Sequence, residues 1–269
     1  MFKKPTGALC KQSHVDSKTF SRICQKLLRE PVRYHRKLWE YVYILRILEQ
    51  FDLLRPGVLG IGFGCGEERL VPTLAARGAK VLVTDLEGGQ AAQRGWVETG
   101  QHSYSLEAWN KYLPHVCDAD VFKMNVRHAF VDMTNIPREL MTGGFDFTWS
   151  SCSLEHLGNL QKGIDFVLDS LETLKPGGIA IHTTEYNVSS NDDTVESGST
   201  SIYRRTDLQR LFAEAKRRGF VVGPMDWGSG DLLNDNHVDV PPYTQDPHLK
   251  LKIQEYVCTS VGFFIRRKA

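Results

Sequence analysis

Two groups of residues in this chain have the types and spacing to do chemistry. The first is Gly62-Phe63-Gly64-Cys65-Gly66, glycines at alternate positions between an apolar run and a helical pattern. Glycines there let the backbone approach a ligand closely, and a helix amino terminus beyond them offers unpaired N–H groups. Asp85 follows about twenty residues later, at the end of the next apolar run, where an acid can accept hydrogen bonds from both hydroxyls of an adenosine ribose. The competing role for Asp85 is a helix cap. The second group is Ser150-Ser151-Cys152-Ser153-Leu154-Glu155-His156, joined by His182-Thr183-Thr184-Glu185-Tyr186-Asn187. His156 has the pKa range to move a proton near neutrality, and Glu155 can orient it or take part. The plain alternatives are a helix-supporting His156 and a solvated Glu155. His182 reads as a buried, hydrogen-bonded residue, whereas Glu185 and Asn187 are placed to grip hydroxyls. Arg204, beside Arg205, either binds an acidic group or flanks a helix. Cys152 has no partner evident in the sequence. Asp231, Asp235, His237 and Asp239 match no calcium-loop spacing and read as solvated, so no metal is expected.

These residues need elements to hold them. Val58–Gly62, Ala79–Asp85, Val126–Val131, Phe145–Trp149 and Ile179–Thr184 read as short buried strands. Helical patterns lie at Glu67–Arg77, Ile164–Leu174 and Thr206–Arg218. Alternating strand and helix predicts a parallel sheet with helices on both faces. Phe220–Val222 and Val257–Ile265 close it as a final pair. The expected fold class is α/β: a doubly wound, mostly parallel seven-stranded sheet with an antiparallel final strand and an N-terminal cover helix. That helix starts near Pro31, carries Leu38, Tyr41, Val42, Leu45 and Leu48 at helical spacing, and ends near Asp52. Residues 1–30 read as a polar lead-in with a short helix near Phe20–Leu28. A single domain follows, with a helical cover over 1–54, a ligand-binding core over 55–185, and loops plus the closing pair over 186–269. The stretches 86–125 and 186–204 are longer than the sheet needs, which points to binding loops. The first holds Trp96, His102, Trp109 and Tyr112, of which Trp96 and His102 are candidates to contact a substrate.

In this order the elements resemble the class I S-adenosylmethionine-dependent methyltransferases, over about Val58–Thr184 and, with the closing pair, most of the chain. The resemblance implies that Gly62, Phe63, Gly64 and Gly66 wrap the methionine part of the cofactor. Asp85 and Leu86 would lie at the ribose. Asp132 and Met133, in Phe130-Val131-Asp132-Met133, would meet the adenine. Ser150 and Ser151, in the Asp146-Phe147-Thr148-Trp149-Ser150-Ser151 motif, would lie beside the sulfonium. Leu174-Lys175-Pro176-Gly177-Gly178 matches the family's turn before its fifth strand. Many members carry an acid two residues before the first loop glycine; this chain has Gly60. The segments Trp149–Cys152, Glu155–Gly158 and His182–Glu185 also look like bacterial methyltransferases associated with sugar and surface-polysaccharide assembly. The implied reaction is O-methylation of a small polar acceptor, a sugar or glycan hydroxyl, with His156 as base and Glu185, Asn187, Arg204, Trp96 and His102 around the acceptor. The alternatives are a natural-product, carboxylate or amine acceptor, or a module that binds the cofactor or S-adenosylhomocysteine without catalysis.

The bulk properties narrow the field. With 269 residues, 41% hydrophobic and 24% charged, the chain can bury one sizeable core. A net charge of +1 and no basic stripe disfavour nucleic acid. Glu67 stands where a dinucleotide loop needs its third glycine, and the Gly-Lys-Ser/Thr of a phosphate loop is missing. Six scattered cysteines form neither a disulfide framework nor a zinc spacing. No run is long and apolar enough to span a bilayer, and the basic start lacks a following apolar stretch, so a cytoplasmic location without membrane insertion is expected.

Overall fold

The computed structural model describes residues 1–89 and 102–269. Five parallel strands form the heart of the sheet: β2 (Leu59–Phe63), β3 (Lys80–Asp85), β4 (Val126–Phe130), β5 (Phe145–Ser151) and β6 (Leu174–Asn187), in the order β4-β3-β2-β5-β6. The long strand β11 (Tyr256–Arg266) pairs antiparallel with β6, and β7 (Val221–Val222) pairs antiparallel with β11. These seven match the expected α/β sheet with its antiparallel closing pair.

Among the described residues the sheet has eleven strands rather than seven. The additions are β1 (Gly7–Leu9), β8 (Met225–Asp226), β9 (Val238–Asp239) and β10 (Lys250–Ile253). β1 lies in the expected lead-in; it pairs antiparallel with β11 and parallel with β8. Each is two to four residues long, too short for period-two alternation to stand out. The helix Lys18–Ile23 continues as one π turn over Cys24–Leu28.

Alternation along the strands sets the two faces. Phe147 and Trp149 of β5, Ile179 and Ile181 of β6, and Phe264 of β11 share one core with Trp39, Tyr43 and Ile47 of the helix Arg36–Gln50. The opposite core holds Ile61, Phe63, Ala180 and Phe263 against the helices Leu160–Ser170 and Arg205–Arg217. Strand glycines let the first layer pack closely. The register places Gly60 opposite Phe147 and Gly62 opposite Trp149. A Cβ on Gly60 would lie 2.3 Å from Phe147 Cζ, and one on Gly262 would lie 2.5 Å from the Tyr43 ring. Aromatic rings thus fill the room that side chains would take, and the Arg36–Gln50 helix beds onto β5, β6 and β11.

That helix does more than cover an edge. Following the same face toward the carboxyl ends of the strands, Trp149 gives way to Ser151, Ile181 to Glu185, and Phe264 to Ser260. Arg36 and Glu40 stand on the helical stripe that continues into Tyr43 and Ile47. The apolar layer therefore ends in a buried polar one.

Candidate active site

A cleft of about 740 Å³ opens over the carboxyl edge of the parallel strands, where ligands bind in open α/β sheets. One side is the glycine loop. Gly64 sits at φ +58°, and a Cβ there would come within 2.8 Å of Ser153 Cβ, so both backbone and space call for glycine. Ser153 Oγ donates to the Gly64 carbonyl at 2.9 Å, tying the loop to the turn after β5. Gly64, Gly66, Asp85, Leu86, Asp132 and Met133 all line this side. Asp85 is buried; its carboxylate accepts from the N–H groups of Gly66 (3.0 Å) and Leu86 (2.9 Å) and from Ser103 N and Oγ (3.1 and 3.2 Å). Three of these bonds fall on Oδ2 and one on Oδ1, so Oδ1 keeps an acceptor direction for a ribose hydroxyl, whereas Oδ2 can take one only by giving up a Ser103 bond. Asp132 Oδ1 accepts from Thr134 N and Oγ1.

Four buried carboxylates, Glu40, Glu68, Glu155 and Glu185, gather at the other side around two cations, Arg36 and Lys37. Glu40 is fully buried and accepts from Ser151 Oγ (3.1 Å), Cys152 Sγ (3.0 Å) and Ser260 Oγ (2.5 Å). Burial alone would push its carboxyl up, but Lys37, Arg36 and these hydrogen bonds prevail and hold it below the usual range. Arg36 pairs with Glu185 and lies 3.5 Å from Glu40. Lys37 Nζ donates to the Ser151 carbonyl at 2.9 Å and stands 3.8 Å from Glu68 Oε1. Burial pushes Glu68 up to about 8 against the pull of Lys37, and its Oε2 has no hydrogen-bond partner. Burial likewise raises Glu185 to about 7, with Arg36 opposing and Glu155 and Glu40 adding to the shift.

His156 ends the one-turn helix Leu154–His156 and lines the same cleft. Its Nδ1 lies 2.7 Å from the Ser199 carbonyl, which can only accept, so Nδ1 carries the proton and Nε2 is the basic nitrogen. Glu155 Oε2 accepts from Thr184 Oγ1 at 3.0 Å, while Oε1 is buried without a partner. Cys152, between them and Arg36, has a left-handed backbone at φ +47°, a strained conformation for a residue with a side chain.

Tyr112 also lines the cleft, whereas the other described candidates do not. Gly62 is spent on the Trp149 ring, and Phe63 is core, packed edge-on to Phe166. Ser150 lies on the opposite face, its hydroxyl 2.8 Å from His182 Nδ1. Asn187 is on the right edge, but its side chain builds the following turn through Ser189 N, Ser190 N and the Asp193 carbonyl. Arg204 is held by Asp207 and Glu196 at the start of the Arg205–Arg217 helix. His102 is buried behind Asp85, with Nε2 2.6 Å from the Leu86 carbonyl. Trp96 lies outside the described residues. Trp109 is core, its indole N–H donating to the Glu68 carbonyl. Of the loop acids, Asp235 holds Gln12 N and Asp239 holds His248 Nδ1. Sequence reasoning missed Arg36, Lys37, Glu40 and Glu68. The available signal was an acid at position 40 on the apolar stripe of a helix.

No protein-family model and no curated protein sequence matches this chain. Solved structures do. A candidate methyltransferase of Bacillus halodurans superposes at a TM-score of 0.52 and 13% identity, over 84% of this chain and 99% of that one. The methyltransferase domain of bacterial CtHen1-CN reaches 0.50 at 13% identity, over 84% and 96%. The fold is a methyltransferase fold. At such identities the likeness concerns the path of the chain, and what the site can hold rests on its own residues. Those residues suit an adenosyl amino acid. The glycine loop leaves room for a close approach, Met133 offers an apolar face, Lys37 carries the charge that an α-carboxylate requires, and an arriving α-ammonium would draw the buried Glu68 carboxyl back to its ionised form. Glu68 Oε2, buried and unpartnered, supplies an acid that Gly60 does not, and the Phe147 ring keeps an acid from standing at position 60.

Proposed function

We propose that this chain is an S-adenosylmethionine-dependent methyltransferase acting on a hydroxyl of a small polar acceptor, with a sugar or glycan hydroxyl the favoured class. The observation that carries the reading is one cleft with two unlike walls. The glycine loop with Asp85, Asp132 and Met133 forms one wall, and His156, Glu155 and Glu185 form the other. In this reading Gly64, Gly66, Asp85, Leu86, Asp132 and Met133 hold the nucleoside, and Glu68 and Lys37 hold the amino-acid end. When bound, the cofactor supplies a sulfonium-activated methyl carbon. The chain's own task is to orient the acceptor and take its proton. His156 is the base, its Nδ1–H fixed on the Ser199 carbonyl and Nε2 receiving the hydroxyl proton. Glu155 and Glu185 make the acceptor end of the cleft polar, which favours a polyol over a flat aromatic. The methyltransferase names of the two structural neighbours agree with this reading. Among the described residues no helix is long and apolar enough to cross a membrane, in keeping with the cytoplasmic location proposed here.

Calorimetric titration with S-adenosylhomocysteine, with NAD as control, tests the reading. Micromolar binding that is lost in Asp85→Ala is the expected result. Binding of NAD in place of the adenosyl ligand refutes the assignment, and full affinity in Asp85→Ala removes that residue from the ribose site.

A further inference from the structure

We propose that Cys152, Glu155 and Glu185 form a binding site for a divalent transition-metal ion of the zinc class at the acceptor end of the cleft. One ligand atom from each of the three lies within 4.8 Å of the others, the one such convergence of three among the described residues. The hydrogen bonds around them divide in a telling way. Glu155 Oε2 is occupied by Thr184 Oγ1, and Glu185 Oε1 by Arg36. Glu155 Oε1 and Glu185 Oε2 are buried with no partner at all. Unmatched buried acceptors cost about 1–3 kcal/mol each, more when charged, so two of them on carboxylates that converge with a thiol call for a cation. Supporting hydrogen bonds to the far oxygen of each ligand carboxylate are how metal sites orient their ligands.

Ligand chemistry points the same way. A thiolate with two carboxylates favours zinc, cobalt or iron over magnesium. Three protein ligands leave a fourth position open, as catalytic rather than structural zinc sites do. On binding, the Cys152 thiol loses its proton, for which Glu40 Oε1 is already the hydrogen-bond acceptor at 3.0 Å.

The consequence for chemistry rests on the methyltransferase reading. An acceptor oxygen entering the open position is polarised by the ion, which lowers its pKa. Its O–H bond then breaks with the proton passing to His156 Nε2. The oxygen lone pair forms the new bond to carbon while the carbon–sulfur bond electrons leave with the sulfur. The metal and the imidazole thus share the work of making an alkoxide.

The test uses the full chain and needs no turnover. Metal-free protein is titrated with Zn²⁺ by calorimetry in two buffers of different ionisation enthalpy, and with Co²⁺ by absorption. The expected result is one ion per chain, release of a proton, and a thiolate-to-cobalt charge-transfer band. That band disappears in Cys152→Ser, and Glu155→Gln and Glu185→Gln weaken Zn²⁺ binding by about a hundredfold or more. Unchanged S-adenosylhomocysteine affinity and a single cooperative unfolding transition show that the variants are folded. Absence of stoichiometric Zn²⁺ and Co²⁺ binding, or equal binding by wild type and all three variants, overturns the site. If the metal binds as expected while S-adenosylhomocysteine does not bind the wild type, the metal site stands and the methyltransferase reading falls.

Discussion

Replacing Gly60 with alanine tests why the glycine loop lacks an acid two residues before its first glycine. The added Cβ would lie 2.3, 2.6 and 2.7 Å from three atoms at the tip of the Phe147 ring. Phe147 is fully buried, with the Trp149 ring centroid 5.6 Å away, so it cannot simply swing out. Overpacking a closed core costs typically 1–3 kcal/mol, and three contacts this short put the change near ~3. Stiffening the unfolded backbone returns up to about 1 kcal/mol, leaving a net loss of ~2 kcal/mol. Unfolding a 269-residue chain carries about 0.56 kcal/mol/K. The thermal midpoint should therefore fall by roughly 4 °C. The decisive measurement is a double-mutant cycle with Phe147→Leu, read by calorimetric midpoints and denaturant unfolding. In the leucine background, Gly60→Ala should cost nothing or stabilise, giving a coupling of about 2–3 kcal/mol between the two sites. Additivity within about 0.5 kcal/mol would refute the argument. The absence of an acid at position 60 would then need a cause other than the ring.

The remaining expectations concern the cofactor, the base and pH. Glu68→Gln should weaken binding of S-adenosylhomocysteine yet spare 5′-methylthioadenosine, which lacks the amino-acid end; equal losses for both ligands would take Glu68 out of that role. His156→Ala should keep S-adenosylhomocysteine affinity while cutting turnover by roughly a hundredfold or more, and unchanged turnover with the true acceptor would remove it as the base. His182 is held neutral by burial, its pKa pushed down to about 3. The unfolded chain takes up that proton near pH 6.5, so the stability His182 confers is complete above 6.5 and is lost as pH falls toward 3. By pH 5 the loss is about 2 kcal/mol. Denaturant unfolding at pH 7.5 and pH 5 should show a correspondingly smaller acid loss in His182→Gln, and an identical loss would sink the assignment.

The parallel core of the fold was legible because its signals are local. Short apolar runs ending in glycine or an acid, with helical patterns between them, give the core strands and their parallel direction without any knowledge of distant contacts. The glycine-loop side of the cleft was legible for the same reason: Gly64, Gly66, Asp85 and Met133 lie at or just beyond strand ends whose position follows from topology. What stayed hidden depends on side-chain direction. Glu185 and Asn187 have the same parity on β6, yet Glu185 turns into the cleft while Asn187 is spent on the turn that follows it. Arg204 bears the right charge at the right edge, but a nearby Asp207 captures it as a helix cap. His102 is tied to the Leu86 carbonyl, a partner that no spacing rule picks out. The short strands β1, β8, β9 and β10 are recognisable only through β11, the β1–β8 pair and each other.

The harder omission was the charged end of the N-terminal helix, and its cause is instructive about buried charge. Arg36, Lys37 and Glu40 fall in the first turns of an amphipathic helix, where charged residues are ordinarily solvated. Their partners are far away in sequence: Ser151 and Cys152 after β5, Glu185 on β6 and Ser260 on β11. Yet the sequence does contain a conflict. Positions 36, 40, 43 and 47 form one stripe, and Tyr43 and Ile47 on it are core residues, so Glu40 stands where the pattern asks for something apolar. A fully buried carboxylate is tolerable only if the surrounding fold supplies donors and counter-charges. Local sequence in conflict with the pattern around it is therefore a pointer to function. Here the conflict leads from one misplaced acid, through the hydroxyl and thiol groups that satisfy it, to Cys152, Glu155 and Glu185, where the two unpartnered oxygens lie.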